Sequence, residues 1–371
     1  MQEDYIKIRK QKLEELIASG VNPYPEKYSR SCTNYEALKL KVGSKKIKLA
    51  GRLMLIRDMG RLCFAHIQDE SGKIQIAFDE RKLGKELYKF FIKKFDLGDF
   101  IGVEGEMFKT HKGEKTLLVK KFEMLGKALR PLPDKWHGIV DTETKYRQRY
   151  LDLIMEEGSK ETFIFRSNFI KAIREFYWEN GFMEVETPTL LHSATGATAT
   201  PYKTHNNALD IDVYLRISHE LPLKELIVGG FEKVFEIGKA FRNEGFDPSH
   251  LPEHTHLEHY CAYWNFEDNI KFTEKMFSYL FKRLKLEKKI QIENRDGKKE
   301  LVNWGTPWKR VNFIELIKKD TGIDITKYNN ADGDEFSQTF LVGRQNIFIC
   351  DFSKYNTSPG DHFPMYGVID G

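Results

Sequence analysis

The sequence predicts an α+β protein whose N-terminal part is a small β-barrel. The hydrophobic residues follow a helical spacing before residue 20, a strand-like alternation from residue 47 to about residue 125, and a mixture of both patterns beyond residue 160. Glycine and proline clusters separate these blocks. At 371 residues with 40% hydrophobic content, the chain is long enough to hold two domains with separate cores.

The first element is a helix. The stretch "DYIKIRKQKLEELIASG" places Ile6, Leu13 and Leu16 at roughly helical spacing, and Gly20 before "NPYP" provides a clear stop. Residues 1–45 are therefore predicted to be an N-terminal helical extension.

The second block, residues 46–127, is predicted to form the barrel. Four or five strand-like segments alternate or run apolar, with likely turns at Asp-Met-Gly, Glu-Ser-Gly and His-Lys-Gly. One helix-like insert, "RKLGKELYKFFIKKF", lies between the third and fourth segments. This pattern suits an OB barrel, whose strand face binds single-stranded nucleic acid. An SH3-like or other small barrel fits the strand count nearly as well.

The remaining chain is predicted to be a linker, residues 128–160, and a second domain, residues 161–371. The linker opens with the proline-containing "KALRPLPDKWHG". In the second domain, "FRSNFIKAIREFYWENGF" places Phe169, Ile173 and Phe176 on one helical face and ends at Gly181. The following "MEVETPTL" alternates like a strand until Pro188 limits it.

A second pair of strand-like segments carries most of the chemistry. "EKVFEIGKAFRNEG" alternates apolar and polar residues like a half-buried strand, which would put Arg242 and Glu244 on one face. "HTHLEHYCAYW" predicts a second strand with His256, Glu258 and Tyr260 on one face. Paired as a hairpin, the two strands would present a cation, carboxylates and a phenol on one surface.

These residue types suit a nucleotide beside an amino group. A guanidinium donates two parallel hydrogen bonds to phosphate and keeps its charge, while carboxylates attract an amine. Zinc binding by the local histidines fits less well, because two of them lie in a predicted loop, the other two lie on opposite strand faces, and no HExxH or paired cysteine accompanies them. These histidines are His250, His254, His256 and His259. A surface hairpin with solvated charges is the third interpretation.

Several segments resemble the class II aminoacyl-tRNA synthetases. "FMEVETPTL" looks like their motif 1, and "VFEIGKAFRNEG" with "HLPEHTHLEHYCAYWNFED" looks like motif 2. The stretch "KTHNNALDIDVYLRISHELPLKELIVGGFEKVFEIG" resembles the lysyl-tRNA synthetase family more closely, as do "LAGRLMLIRDMG" and "KYRQRYLDLI". The resemblance implies an OB-fold anticodon-binding domain followed by a class II antiparallel-sheet catalytic domain that lacks its C-terminal part.

The same resemblance implies substrates and residue roles. The substrates would be ATP accompanied by Mg²⁺, L-lysine and tRNA(Lys), and Arg242 would bind the α-phosphate as the catalytic residue. The ATP-binding positions would be Arg242, Glu244, His250 and His254. The lysine-binding positions would be Gly196, Glu220, Glu258 and Tyr260. The anticodon-binding positions would be Arg57, Phe64, Gln75 and Glu114, with Phe64 stacked on a base.

The sequence also departs from the family. His254 stands where the family has a stacking aromatic, Pro222 replaces a tyrosine, and Thr195 and Thr200 replace a glycine and an arginine. The resemblance does not extend to the segments that would hold Mg²⁺ and supply motif 3, so the 371-residue chain is expected not to form lysyl-adenylate at a useful rate. A tRNA-binding relative without catalysis, and an asparaginyl- or aspartyl-type synthetase, are the alternatives.

Composition indicates the compartment. The N-terminus lacks the apolar core of a signal peptide, and no run of eighteen apolar residues predicts a membrane span. The four cysteines form no CxxC pair, and the net charge of +4 permits a polyanionic partner without requiring one. A cytoplasmic location is expected, and the family resemblance implies a homodimer.

Overall fold

The computed structural model describes residues 2–133, 141–156, 158–245, 251–293 and 297–324. The chain divides into two compact units, Met1–Lys160 and Glu161–Gly371. Among the helices in these ranges, none combines the length and the hydropathy needed to span a membrane.

The first unit contains a helical lead-in and a strand-rich block. Its elements are α1 (Gln2–Ala18), α2 (Asn34–Lys39), β1 (Ile47–Asp58), β2 (Leu62–Asp69), β3 (Gly72–Asp79), α3 (Glu80–Leu83), α4 (Lys85–Lys94), β4 (Phe100–Lys109), β5 (Lys115–Gly126), α5 (Thr142–Arg147) and α6 (Arg149–Met155). The predicted N-terminal helix is confirmed as α1, and Leu16 is fully buried.

Strands β1 to β5 close into a barrel in the order β1-β2-β3-β5-β4. Only the β3–β5 pair is parallel among these neighbours, and α3 and α4 lie between β3 and β4 in the chain. Along β2, Cys63, Ala65 and Ile67 are fully buried, while the residues between them face outward. The predicted small barrel of four or five strands, with a helix between the third and fourth strands, is confirmed and has five strands.

The second unit mixes helices with small sheets. Its elements are α7 (Ser159–Glu179), β6 (Met183–Glu184), β7 (Leu190–Leu191), β8 (Lys203–Asn206), β9 (Ile211–Leu215), α8 (Glu220–Val228), β10 (Lys233–Phe241), β11 (Glu253–Cys261), α9 (Phe266–Leu284), β12 (Lys289–Glu293), β13 (Lys299–Asn303) and α10 (Phe313–Thr321). The sheet orders are β11-β10-β6, β7-β9-β8 and β12-β13.

Helices α7 and α9 contribute to one apolar core with one face of β10. Ile173 and Phe176 of α7 are buried, and Phe169 packs against the same cluster, as their helical spacing predicted. Phe235 of β10 is fully buried in this core. Gly181 follows α7 with φ of 78°, a left-handed conformation that favours glycine and ends the helix.

Three predictions about strands were wrong. The "MEVETPTL" segment forms a strand at Met183–Glu184, which pairs in parallel with β10, and then only at its last residue, Leu190, where β7 begins. Strand β10 is not half-buried, because Glu236 on its second face is as inaccessible as Phe235 on the first. The strand ends at Phe241. Arg242 and Glu244 lie beyond it, so they do not share a strand face.

Candidate active site and nucleic-acid face

The second face of the β10–β11 pair is lined by polar side chains. The antiparallel register places Glu258 opposite Glu236 and His256 opposite Gly238. Because side chains alternate along a strand, His256, Glu258 and Tyr260 share the face that points away from the apolar core. This part of the hairpin prediction is confirmed. We call Ser218, His219, Glu220, His256, Glu258 and Tyr260 the site cluster.

Glu258 is the central carboxylate of the site cluster. Its Oε1 accepts hydrogen bonds from the Ser218 hydroxyl at 2.9 Å and from the His219 backbone N–H at 3.3 Å. Burial raises the pKa of Glu258, these two hydrogen bonds oppose that rise, and the charges of Glu220 and Glu236 add to it. A carboxylate held in this way would gain from a cationic ligand.

Glu220 and Tyr260 complete the acidic part of the cluster. The backbone N–H of Glu220 donates to the Ser218 hydroxyl at 3.0 Å, so Ser218 connects the two carboxylate residues. An ammonium group from the protein already lies here: Lys224 Nζ donates to Glu220 Oε1 at 2.6 Å and lies 5.9 Å from the centre of the Tyr260 ring. Burial raises the pKa of Tyr260, with the charges of Glu258 and Glu220 as further causes.

Gly196 lies against the same residues. Its φ is 89°, and a Cβ added there would be 2.7 Å from Ser218 Oγ and 2.8 Å from Glu220 Cβ. Both distances are shorter than real contacts allow, so a side chain at this position would push the cluster apart. The structure therefore brings the predicted Gly196, Glu220, Glu258 and Tyr260 together.

A buried ion pair lies on this face of β10. Arg216 Nη1 lies 2.6 Å from Glu236 Oε1, and both side chains are at most 5% exposed. The other oxygen of Glu236 accepts from the Thr187 hydroxyl at 2.6 Å, and Arg216 Nε donates to the Lys239 carbonyl at 2.8 Å. This network covers the polar face of β10 and explains why Glu236 is inaccessible.

Two histidines of the cluster lie close together. His219, the N-cap residue of α8, is fully buried, and its ring centre lies 5.5 Å from that of His256. Burial is the main cause that lowers the pKa of His219 to about 3 and that of His256 to about 4; nearby cationic groups, including Arg216, lower both further. Both imidazoles are therefore neutral near pH 7.

Arg242 follows the last residue of β10, at the end of the strand pair that carries His254 and His256. Its backbone N–H donates to the Pro252 carbonyl at 2.9 Å, which extends the pairing beyond the strand ends. After burial, the charge of Arg242 contributes to the lowered pKa of His254 and of His256, so its guanidinium acts on both rings. A positive charge and neutral imidazole rings therefore lie close together at this end of the strand pair.

The remaining predicted ATP-binding residues are less closely grouped. Glu244 is exposed, and its Oε1 accepts from the Thr200 backbone N–H at 3.3 Å. The ring of His254 lies 5.7 Å from that of His256. His250 lies outside the described residues. Of the four, the structure therefore relates Arg242 and His254 to the site cluster.

His259 belongs to the core instead. It lies on the opposite face of β11 from His256, as predicted, and its ring nitrogens lie 2.8 Å from the Tyr177 hydroxyl and 2.7 Å from Asn269 Oδ1. Burial lowers its pKa to about 4, and the Asn269 contact opposes that shift.

The predicted anticodon residues meet on the outside of the barrel. In the strand register, Phe64 of β2 lies opposite Arg57 of β1, and Gln75 of β3 lies near the β4–β5 turn that ends at Glu114. Phe64 is half-buried between the fully buried Cys63 and Ala65, so its side chain points outward. A partly exposed aromatic on this strand is suited to stacking on a base.

Hydrogen bonds connect the polar members of this surface. Gln75 Nε2 donates to Glu114 Oε2 at 2.6 Å, and the Thr116 hydroxyl donates to Gln75 Oε1 at 2.8 Å. His66, which the sequence did not single out, lies opposite Gln75 and 3.5 Å from Glu114 Oε1. We call Arg57, Phe64, His66, Gln75 and Glu114 the barrel face.

Comparisons with known families agree with both regions. The family "OB-fold nucleic acid binding domain" matches residues 47–125, and the family "tRNA synthetases class II (D, K and N)" matches residues 141–365. The second match covers more than half of the chain. The chain belongs to the class II tRNA synthetases of the D, K and N group.

Several similar proteins are lysine-tRNA ligases. The chain is 47% identical over 323 residues to a lysine-tRNA ligase of Carboxydothermus hydrogenoformans, 45% over 332 residues to one of Fervidobacterium nodosum, and 46% over 330 residues to one of Lactococcus lactis. These matches cover 86%, 88% and 86% of the chain but 65%, 64% and 66% of the relatives. The chain thus spans about two thirds of their length.

In this class II synthetase chain, several residues in or beside the site cluster were not predicted from the sequence. Arg216, Ser218 and His219 precede Glu220 in "RISHE", next to a residue that was singled out. A polar run directly before a helix is the signal that could have identified them. Glu236 was missed because a charged residue in an alternating strand suggests a solvent-facing position.

Proposed function

We propose that this chain has the substrate sites of a lysine-tRNA ligase, an enzyme that activates L-lysine with ATP and transfers it to tRNA(Lys), and that its own rate of lysine activation is impaired. The observation that carries the proposal is that Ser218 holds Glu258 and Glu220 beside each other at the polar face of a class II synthetase sheet: its hydroxyl donates to the Glu258 carboxylate and accepts from the Glu220 backbone N–H. The names of the similar proteins support the choice of lysine.

Lysine recognition would rest on the site cluster. Glu258 and Glu220 would contact the amino group, with Tyr260 beside them, and Gly196 would keep this approach open. Because Glu258 is largely buried, its attraction for an ammonium is screened less than it would be in water. A substrate ammonium would share or displace the contact that Lys224 makes with Glu220.

Activation would need no protein nucleophile. The carboxylate of lysine would attack the α-phosphate of ATP in line, and Arg242 would bind that phosphate and stabilise its developing charge. His254 would stack on the adenine, and Glu244 and His250 would hold the remaining nucleotide contacts. The transfer step would then pass lysine to the end of the tRNA.

Magnesium would accompany ATP as part of the substrate. It prefers six oxygen ligands, whereas the potential metal-binding group among the described residues consists of two histidines and one glutamate. This group does not fit Mg²⁺, and the roles above are therefore assigned to protein side chains only.

The barrel face would read the anticodon of tRNA(Lys). Phe64 would stack on a base, while Arg57, Gln75 and Glu114 would hydrogen-bond to base edges or phosphates. The Gln75–Glu114 hydrogen bond supports this role, because it fixes the orientation of the amide that a base would meet.

We further propose a homodimer that works in the cytoplasm. The family resemblance implies that motif 1 and residues 128–160 contribute to the dimer contact. Sedimentation of the purified chain tests the proposed homodimer: a mass near that of one chain would overturn it. A tRNA-charging enzyme acts where translation takes place, which makes the cytoplasm its expected location.

The function is tested by calorimetric titration of the purified chain with lysine, asparagine and aspartate. Lysine alone is expected to bind. Glu258→Gln should weaken lysine binding by about 10- to 100-fold, because a charged hydrogen bond contributes about 1.5–3 kcal/mol. Binding of aspartate or asparagine in preference to lysine would instead favour the aspartyl- or asparaginyl-type alternative.

A matched control separates charge from packing. Glu267→Gln, on α9 and outside the site cluster, removes a carboxylate of the same size and should leave lysine binding unchanged. Lysine-dependent exchange of pyrophosphate into ATP then measures activation itself. Lysine binding with little or no exchange is the result expected for this chain, and robust exchange would overturn that expectation.

A further inference from the structure

We propose that His219, His256 and Glu258 form a binding site for a divalent transition-metal ion of the zinc type. One ligand atom from each of these side chains lies within 4.8 Å of the other two. The residues come from distant segments: His219 is the N-cap residue of α8, and His256 and Glu258 occupy alternate positions on β11. The fold, rather than a local sequence motif, brings the three side chains together.

The distances suit a tetrahedral ion. Zinc bonds of about 2.0–2.1 Å place two ligand atoms roughly 3.3–3.4 Å apart. His256 Nδ1 and Glu258 Oε1 are already 3.3 Å apart. The ligand atom of His219 lies within 4.8 Å of the other two. To reach the zinc spacing, it would have to move toward them by about 1.5 Å or less.

Polar atoms of these three residues lack hydrogen bonds. Among the described residues, both ring nitrogens of the fully buried His219, Nδ1 of His256 and Oε2 of Glu258 have no hydrogen-bond partner. Buried polar groups in folded proteins nearly always have one. A metal ion would bind one nitrogen of each imidazole and an oxygen of the carboxylate, and would leave a fourth position open.

The ligand types select the class of ion. Two imidazoles and one carboxylate suit Zn²⁺ or Co²⁺, whereas Mg²⁺ and Ca²⁺ prefer oxygen ligands alone. Some of the surrounding charges favour a bound cation and others oppose it. Arg216 is neutralised by Glu236, the charge of Arg242 opposes a cation, and Glu258 offsets it by direct contact with the ion.

A metal ion here would compete with lysine. This consequence rests on the proposed function, in which Glu258 contacts the amino group of the substrate. An ion bound to Glu258 would remove that contact. Zinc would therefore inhibit lysine binding, and lysine would weaken metal binding in the same proportion.

The test uses Co²⁺, which replaces zinc and absorbs visible light when it is bound. The 371-residue chain, treated with chelator and then dialysed, is titrated with Co²⁺, and the absorbance gives the affinity and the stoichiometry. We expect one site per chain, displacement of Co²⁺ by Zn²⁺, and no displacement by Mg²⁺. His256→Gln and Glu258→Gln should each weaken Co²⁺ binding by at least about tenfold, since even outer-shell changes cost about 10- to 100-fold.

Controls keep the test decisive. His192→Gln removes an exposed histidine outside the group and should bind Co²⁺ like the unaltered chain. His219→Gln should also lose binding, but because His219 is fully buried, circular dichroism must first show that this variant folds. The conclusion depends on His256→Gln, whose parent side chain is 22% exposed.

Two outcomes would overturn the site: no saturable Co²⁺ binding at millimolar cobalt, or equal affinity in the unaltered chain and in His256→Gln. Competition is read separately by repeating the titration with saturating lysine or aspartate. Loss of affinity with lysine alone supports both proposals. Cobalt binding that depends on His256 and Glu258 but ignores lysine supports the metal site and contradicts the lysine contact at Glu258.

Discussion

The barrel face and the site cluster both combine charged, amide or imidazole groups with an aromatic ring, but solvent reaches the first far more than the second. Glu114 on the barrel face has a side chain that is 50% exposed, whereas the side chain of Glu258 in the site cluster is 15% exposed. Below the barrel face lies an apolar core that needs none of these polar groups. In the second unit, Arg216 and Glu236 are themselves buried, and Glu236 lies opposite Glu258 in the strand register.

This difference in solvent exposure indicates in which region binding and stability are coupled. A barrel-face residue can be changed without leaving a buried charge unpaired, so we expect its loss to affect binding and little else. A residue in or beside the site cluster is held by other buried polar groups, so its loss should affect folding as well as binding.

The largest expected effect is on folding. Arg216→Met leaves the carboxylate of Glu236 buried without its cation and should lower the free energy of unfolding by about 3–5 kcal/mol. Urea unfolding followed by circular dichroism measures the loss. The double variant Arg216→Met/Glu236→Leu removes both charges and should recover much of it. A single variant as stable as the parent would show that the pair is not coupled to folding.

The second effect concerns binding alone. Phe64→Ala should weaken binding of tRNA(Lys) by about 1–3 kcal/mol, because stacking of one base on an aromatic ring contributes that amount. Filter binding with tRNA of matched and altered anticodon measures it. Phe100→Ala, at an exposed aromatic on β4 that packs on Arg52, is the matched control and should not change anticodon preference. Equal losses in both variants would argue against an anticodon role for Phe64.

The sequence predicted one side of this comparison better than the other. The barrel, helix α7 and the two faces of β11 followed from periodicity, because apolar residues at regular spacing must face a core. The end of β10 did not, since Arg242 continues the alternation although the strand stops at Phe241. His219 was not predicted to be a site residue, because its neighbours His256 and Glu258 come from another segment and only the folded sheet brings them together.

The third prediction concerns pH. The pKa of His219 is about 3 and that of His256 and His259 about 4, below the ordinary value of roughly 6.5. Between pH 6.5 and about 4 the unfolded chain binds protons that the folded chain does not. Stability should therefore be constant with respect to these groups above pH 6.5 and fall below it, by up to about 1.4 kcal/mol per pH unit for each histidine.

Urea midpoints at pH 7.5, 6.5 and 5.5, measured with chelator present, test this slope before most carboxylates titrate. His259→Gln should reduce the slope by roughly one third, because it removes one of three groups. The exposed histidine of the barrel unit, His111, is the control, and His111→Gln should leave the slope unchanged. A stability that does not vary between pH 6.5 and 5.5 would contradict burial of the three imidazoles.

The smallest expected effect returns to the barrel face. Glu114→Gln removes a charge but keeps a carbonyl oxygen that can accept from Gln75, and the side chain is 50% exposed. Exposed charges contribute little to folding, so the free energy of unfolding should change by less than about 0.5 kcal/mol. Binding of tRNA should change more than stability does, because the variant removes a negative charge from the surface proposed to contact the tRNA. A variant that loses stability but not anticodon preference would reverse the assignment and make the Gln75–Glu114 contact a structural feature of the barrel.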